Sequence, residues 1–231
     1  DLRGNIPSFI LISTGKLHDA WALDPLVLEV GAFYILDRGY LDSQRLFRVN
    51  QSAAFFVTRS RKNTQFRLIE SRAVDPSTGI RCDQTIRFTG VDSKIDYPAP
   101  LRRIKYRDAE TEKIYVYLTN QFALPPLTIA KLYKARWRVE LFFKWIKQHL
   151  RIKAFFGTSE NAVKTQVWIA VTVYLLVAIL KKRLLIEQEL YRILQILSVH
   201  LFEKVDIREL LREYDVPAGN RLLSNQLELF N

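Results

Sequence analysis

The sequence predicts an α/β protein, because its texture changes twice along the chain. Up to about residue 61, short apolar runs alternate with short helical patterns, which is typical of an α/β sheet. Over 62–120, apolar and polar residues alternate between turn signals, which indicates a β-rich meander with one face in water. After Pro125-Pro126 the pattern is almost wholly helical. We therefore expect four segments, with the second inserted between the first and the third: 1–61, 62–120, 121–183 and 184–231.

The first segment is expected to contain three strands and two short helices. A strand is predicted over 6–14, and a helix capped by Asp19 or Asp24 is predicted to reach Val30. The apolar runs 32–36 and 53–58 predict strands that are buried on both faces. Between these two strands, Asp42 or Ser43 can cap a helix that continues through Val49.

The remaining segments are expected to contain a meander followed by four helices. Within the meander, alternation is clearest at 66–70, 84–88 and 113–118. The predicted helices span about 128–151, 159–183, 187–200 and 206–214. The apolar run Val167–Leu180 covers 14 residues, whereas a bilayer span needs about 20. This length favours a central core helix over a transmembrane one.

Composition indicates a polyanionic partner. The 231 residues carry 35 Lys and Arg against 24 Asp and Glu, so the net charge is +11. Residues 101–153 account for +9 of that total. A solvated helix face and a track of phosphate contacts both explain this cluster, and an anionic membrane surface is a further alternative. The lone Cys82 excludes an internal disulfide and a cysteine-based zinc site.

Four polar residues are predicted to share one face of the helix that begins near Thr128. At about 100° per residue, Tyr133, Arg136, Glu140 and Lys147 fall within a wedge of roughly 60°, and Lys144 borders it. The structural interpretation is an ordinary i,i+4 pairing of Glu140 with Arg136 and Lys144. The functional interpretation is that Glu140 binds a divalent metal while its neighbours hold phosphates, since carboxylates are suitable ligands for Mg²⁺ or Mn²⁺.

A second candidate carboxylate follows a predicted strand. Asp37 stands at the carboxyl end of the run 32–36, where ligand sites gather in open α/β sheets. Gly39 allows a tight turn after it, so Asp37 can also serve only to cap that turn.

These motifs resemble the DDE transposases of bacterial insertion sequences, in the branch called insertion-sequence family four. Tyr133-x2-Arg136-x3-Glu140-x6-Lys147 is similar to that branch's Tyr-Arg-Glu-Lys signature, and Ile35-Leu-Asp37-Arg-Gly-Tyr40 is similar to its second aspartate motif. Two shorter stretches, Lys16–Asp19 and Phe156-Gly157 with Asn161 and Gln166, also resemble recurring segments of the branch. The resemblance runs from Asp1 to about Arg183.

The resemblance implies an RNase H-like core interrupted by a β-rich insertion, with a helical carboxy-terminal part. Asp37 and Glu140 would be catalytic metal ligands for two Mg²⁺ or Mn²⁺ ions, while Tyr133, Arg136, Lys147 and Lys144 would contact DNA. The reaction would be metal-dependent hydrolysis at a transposon end, followed by strand transfer into target DNA, through a hairpin intermediate. The implied partners are double-stranded DNA and a second copy in a synaptic homodimer. The implied location is the bacterial cytoplasm, at the nucleoid.

One departure from the family pattern limits the expected activity. The first aspartate of the family, on the first core strand, has no counterpart in this sequence, because Asp19 and Asp24 both resemble helix caps. We therefore expect an incomplete and inactive fragment with two of three metal carboxylates. The alternative is a truncated derivative that binds DNA, or dimerises with the full-length enzyme, and thereby inhibits it.

Overall fold

A six-stranded mixed sheet forms the centre of the first part of the chain. The computed structural model describes residues 6–7, 9–13, 19–150, 155–200 and 202–213. They divide into two compact units: residues 9–140, here called the sheet unit, and residues 6–7 with those from 141 onward, here called the helical unit. The α/β class predicted from the sequence is confirmed, whereas the RNase H-like topology stays a prediction.

The sheet has the strand order β1-β2-β6-β5-β4-β3. Only β1 and β2 are parallel, with Leu36 opposite Thr58, and every other neighbouring pair is antiparallel. Strands β3 to β6 form the predicted meander, which joins the parallel pair where Val57 lies opposite Thr119. The strands are β1 (Phe33–Leu36), β2 (Phe55–Arg59), β3 (Phe66–Arg72), β4 (Ile80–Phe88), β5 (Leu101–Arg107) and β6 (Ile114–Thr119).

The two parallel strands differ in burial. The three central residues of β2 are buried, as the apolar run predicted. In β1 only Leu36 is buried, so the prediction that this strand is buried on both faces is wrong. The reason is position, because among the described strands β1 lies at the edge of the sheet, with β2 as its neighbour.

Two predictions for the first forty residues are also corrected. The described residues between 6 and 13 contain no strand. The helix predicted to reach Val30 is a single 3₁₀ segment, Asp19–Leu23. Arg48 donates hydrogen bonds to the carbonyls of Leu23, Asp24 and Leu26, and the Leu23 carbonyl also accepts from the Leu26 N–H at 3.3 Å.

Helix α1 (Ser43–Gln51) packs with the sheet unit's main core through Leu46 and Val49, whereas α2 (Val91–Asp96) buries none of its side chains. Helix α1 is capped by Asp42, whose carboxylate accepts from the Arg45 backbone N–H at 3.0 Å. Helix α2 was not predicted. Tyr97 follows it and is buried among the rings of Phe47, Phe56 and Phe88.

The helix predicted over 128–151 is two helices. Helix α3 (Pro126–Lys134) ends at Ala135, and α4 (Trp137–His149) begins after Arg136. At the break, the Arg136 N–H bonds the carbonyl of Tyr133 and the Arg138 N–H bonds the carbonyl of Ala135, so the backbone tightens to i,i+3 bonds. The predicted common wedge therefore does not extend across this point.

The helical unit consists of the later part of α4 with α5 (Glu160–Leu184), α6 (Leu190–Val199) and α7 (Ile207–Glu213). Ser159 caps α5, because its hydroxyl accepts from the Ala162 N–H at 3.2 Å. Tyr174 of α5 packs against the rings of Phe142 and Trp145, at centroid distances of 4.9 and 5.1 Å. A second cluster joins α5, α6 and α7 through Val177, Ile193, Ile196, Leu210 and Leu211.

Helix α5 is only partly a core helix. Its buried residues Ala170, Val171, Tyr174 and Val177 follow helical spacing and form one stripe. Trp168, Ile169, Leu176 and Ile179 are exposed, so the helix predicted as a central core helix is buried along one stripe and not on its other faces. Among the described residues, α5 is the one helix long and apolar enough to span a bilayer by length and composition.

Candidate active site

Asp37 is positioned by the parallel pair of strands. It follows β1 directly, and its carboxylate accepts from the Arg38 N–H at 2.5 Å at the start of a 3₁₀ turn, Arg38–Tyr40. The capping role that the sequence left open is therefore present. Capping uses one carboxylate oxygen, Oδ1, while Oδ2 points to another partner, and the side chain remains 36% exposed.

Arg136 brings Asp37 and Glu140 together. Its Nη1 lies 2.9 Å from Oδ2 of Asp37, and its Nη2 lies 2.5 Å from Oε1 of Glu140. The ion pair with Glu140 is half of the i,i+4 pairing that the structural interpretation expected, because no ion pair joins Glu140 to Lys144 among the described residues. The ion pair with Asp37 goes beyond it, because it joins the start of α4 to the end of β1. Two carboxylates distant in sequence thus share one guanidinium.

The two neighbouring carboxylates stabilise the charged form of the Arg136 guanidinium. Burial disfavours the charged form of Arg136, but the hydrogen bond to Glu140 and the charge of Asp37 outweigh it, so the pKa of Arg136 is raised. Arg59, at the end of β2, adds a second cation 3.7 Å from Oδ1 of Asp37. The two acids are therefore held beside two arginines.

Tyr133 lies in the sheet unit's second core cluster. Its ring is 4.9 Å from that of Tyr117, and the residue is 7% exposed. The guanidinium carbons of Arg59 and Arg136 lie 5.8 and 5.9 Å from the ring centroid. Burial raises the pKa of the Tyr133 phenol, with smaller opposing effects of the arginines. The hydroxyl is buried and makes no hydrogen bond of acceptable geometry.

The predicted lysines lie farther along α4. Lys144 and Lys147 are exposed and belong to the helical unit, so their predicted DNA contacts stay predictions. Of the shorter family-like stretches, Lys16–His18 lie outside the described residues. Gln166 is described, and its side-chain oxygen accepts from the Phe156 N–H at 3.0 Å.

The donor set at the acid pair fits a hard divalent cation. Asp37 and Glu140 both offer partly exposed carboxylates to the same guanidinium, and Mg²⁺ commonly binds one or two carboxylates with waters and phosphates completing its shell. Within the described part of the chain, no group of three His, Cys, Asp or Glu residues gathers for a metal. The described residues therefore offer a metal ion two protein ligands, Asp37 and Glu140.

Comparison with known proteins is decisive for the family. Residues 1–176 match the family model described as the transposase DDE domain. The chain belongs to the DDE transposase family. Asp37, Arg136 and Glu140 lie within the matched range, and the predicted resemblance to insertion-sequence transposases is confirmed.

Relatives of this DDE transposase carry matching names. It is 34% identical over 226 residues to a protein of Sinorhizobium fredii named as a transposase, y4zB, covering 96% of this chain and 63% of the relative. It is 32% identical to a transposase for insertion sequence element IS5377 of Geobacillus stearothermophilus, over 74% of this chain and 45% of the relative. It is 25% identical to one for element IS4SA of Synechocystis, over 78% and 51%. The chain thus spans about half to two thirds of these relatives.

Sequence reasoning missed Arg59. The register of the parallel pair places Arg59 beside Asp37. Leu36 lies opposite Thr58, and Asp37 and Arg59 are the residues that follow them. A cation at the end of a buried strand, next to a strand that ends in an acid, was the available signal. The strand pairing needed to interpret it is not visible in the sequence.

Proposed function

We propose that this chain is the DNA-processing part of an insertion-sequence transposase that hydrolyses and transfers DNA strands at transposon ends. The bonds from one Arg136 guanidinium to Asp37 and Glu140 are the observation that carries this proposal. They support a common site for two acids that the family motif requires to cooperate. A divalent cation bound there would neutralise phosphate charge and lower the pKa of an attacking water.

In this proposal the chain's own residues divide the work. Asp37 and Glu140 bind the cation as carboxylate ligands. Arg136 balances part of their charge while no cation is bound, and it holds a DNA phosphate once a cation has displaced it. Lys144 and Lys147 extend the phosphate contacts along α4, and Tyr133 orients the two arginines through its buried ring.

The wider activity is proposed from the family. Hydrolysis at a transposon end would free a 3′-hydroxyl that attacks the target strand, through a hairpin intermediate, within a homodimeric synaptic complex. The protein would act on double-stranded DNA at the bacterial nucleoid, in the cytoplasm. We propose that the chain alone does not nick DNA, since its described residues supply two gathered carboxylates.

A second candidate function is a non-catalytic derivative that binds DNA or dimerises with the full-length enzyme and inhibits it. The observation that favours it is the same pair of carboxylates, for which the described residues offer no third partner. Gel shifts on transposon-end DNA, run with and without Mg²⁺, distinguish the two functions. A retarded band without cleavage supports the derivative, and metal-dependent nicking supports the enzyme.

The decisive test of the site is Mn²⁺ binding, followed by electron paramagnetic resonance of the free ion. We expect Asp37→Asn and Glu140→Gln each to weaken Mn²⁺ binding at least tenfold. Asp92→Asn, which removes an exposed acid at α2, is the matched control and should bind as the unaltered chain does. Equal Mn²⁺ affinity in all four proteins would refute the site.

A further inference from the structure

A basic groove adjoins the acid pair within the sheet unit. It has a volume of about 640 Å³ and twelve lining residues. Six of these are cations and none is acidic: Arg38, Arg59, Arg61, Lys62, Arg103 and Lys113. The predicted DNA-contacting residues are all elsewhere, so the sequence did not identify this surface.

Three of the groove's arginines are held in place by the protein. Arg103 donates to the side-chain oxygen of Gln84 at 2.8 Å, and its guanidinium lies 4.9 Å from the centroid of Phe66. Arg61 donates to the carbonyl of Leu41 at 2.8 Å. Arg59 is tied to Asp37 and keeps its buried Nε without a hydrogen-bond partner. These guanidinium groups are therefore preorganised.

The other three cations lack acidic partners. No ion pair joins Arg38, Lys62 or Lys113 to any acid in the part of the chain that the structure describes, and all three are exposed. Six positive charges are concentrated here, and Asp37, which pairs with Arg59, is the nearby acid that the ion pairs show. The remaining cations repel one another, which favours a polyanion as their counter-charge. Phe66 and Tyr115 add aromatic faces of the kind on which sugars and bases pack.

We propose that this groove binds the phosphodiester backbone of DNA and delivers the strand to the acid pair. The inference rests on the proposed function and deepens it by giving the strand a path. Arg59 indicates the direction in which the DNA strand runs, because this residue lines the groove and also lies beside Asp37. A strand whose phosphates follow the cations therefore reaches the carboxylates at the end of β1.

The test is the salt dependence of DNA binding in metal-free buffer with EDTA. Affinity of the 231-residue chain for a short fluorescein-labelled duplex is measured by anisotropy across a series of NaCl concentrations. The slope of log K against log [NaCl] becomes shallower by roughly 0.9 for each phosphate that the protein no longer neutralises. We expect Lys62→Gln/Lys113→Gln to reduce the slope by about 1.8, and to reduce affinity at every salt concentration.

The matched control is Arg81→Gln/Lys94→Gln, which removes two exposed cations of the sheet unit that do not line the groove. An unchanged slope in the control supports the groove. If both double variants lost the same amount of slope and affinity, DNA binding would depend on overall charge and not on the groove, and the proposal would be overturned. Failure of the unaltered chain to bind the duplex at low salt would also overturn it.

A second measurement needs no variant. Acetylation of lysines by an activated ester, followed by mass spectrometry, should be suppressed by duplex DNA at Lys62 and Lys113 and unchanged at Lys94. Equal labelling with and without DNA at Lys62 and Lys113 would overturn the proposal. These outcomes are independent of Mn²⁺ binding by Asp37 and Glu140, so failure of the groove is distinguishable from failure of the acid pair.

Discussion

Nη1 of Arg136 lies 2.9 Å from Oδ2 of Asp37, and this ion pair connects the start of α4 to the end of β1. The second terminal nitrogen of the same guanidinium contacts Glu140. Arg136 is 18% exposed, whereas the two acids are 36% and 42% exposed. The protein thus has an internal cation between two carboxylates that solvent and ions can still reach.

Replacing this internal cation should strengthen metal binding. Arg136 and a bound metal ion compete for the same two carboxylates. In Arg136→Gln this competition is removed, so the two carboxylates bind an added metal ion more strongly. Partly exposed ion pairs contribute about 1 kcal/mol, which metal binding no longer has to overcome in this variant. The affinity for Mn²⁺ should therefore rise roughly fivefold. Titration calorimetry measures this. Arg136→Lys keeps the charge and should change affinity less, and weaker Mn²⁺ binding by Arg136→Gln would contradict the competition.

Tyr133 should matter first for stability. Its ring packs on Tyr117 in the core, so Tyr133→Ala should lower the free energy of unfolding by about 3 kcal/mol. Tyr133→Phe keeps the ring and removes a buried hydroxyl that makes no well-formed hydrogen bond, so it should cost less than about 1 kcal/mol. Urea unfolding compares the variants. A larger loss in Tyr133→Phe than in Tyr133→Ala would show that the hydroxyl dominates.

The buried ion pair of Arg102 and Asp83 should be intolerant of single changes. Two bonds of 2.8 and 2.6 Å join them, and Arg102 also donates to the carbonyls of Gln121, Phe122 and Leu124 just before α3. Arg102→Met leaves Asp83 buried with the longer ion pair to Arg72, at 3.4 Å, which should cost about 3 kcal/mol of unfolding free energy.

Denaturant unfolding of the single and double variants tests this coupling. Arg102→Met combined with Asp83→Leu should cost less than the sum of the two single changes, because neither charge remains buried alone. Additive costs would mean that the two side chains contribute independently.

Asp108 should make stability depend on acid pH. The Thr111 backbone N–H holds the pKa of Asp108 below its usual value, with further contributions from the Thr111 hydroxyl and Lys134. A lowered folded-state pKa gives stability that is present above the unfolded pKa of about 3.9 and is lost as pH falls through the folded value. Melting temperatures from neutral pH to about pH 3 should therefore fall more steeply for the unaltered chain than for Asp108→Asn. Parallel curves would exclude Asp108 as a source of that dependence.

Local signals in the sequence were sufficient for much of the fold. The Asp42 cap of α1 and the buried strand β2 each depend on neighbouring residues, and the structure contains both. The strands of the meander are present as well, but the predicted alternation is not regular, because β3 is exposed along almost its whole length and β6 is buried at its last three residues. The edge position of β1 could not be predicted, because it depends on which strands pair. The helix expected to reach Val30 ends at Leu23, and the carbonyls of Leu23, Asp24 and Leu26 bind Arg48 of a different helix, a long-range contact that local patterns do not encode.

The candidate site shows the same division. Asp37 and Glu140 were identified from motif and strand position, but the shared guanidinium depends on the break between α3 and α4. Helical periodicity placed Tyr133 on a polar face with Glu140, whereas the break lets its ring enter the core. Arg59 and the basic groove depend on strand register and on the meander's path, which local patterns do not encode.

The pairing of Val57 with Thr119 has a consequence for the order of folding. Contacts within the meander join residues near in sequence, whereas β2 meets β6 only after the whole intervening stretch closes into a loop, with a large entropic cost. We therefore expect the hairpins of the meander to form early and the parallel pair to dock late. A partly folded chain would then contain the antiparallel strands but not the site formed by Asp37 and Glu140. The candidate active site would therefore form in the last step of folding.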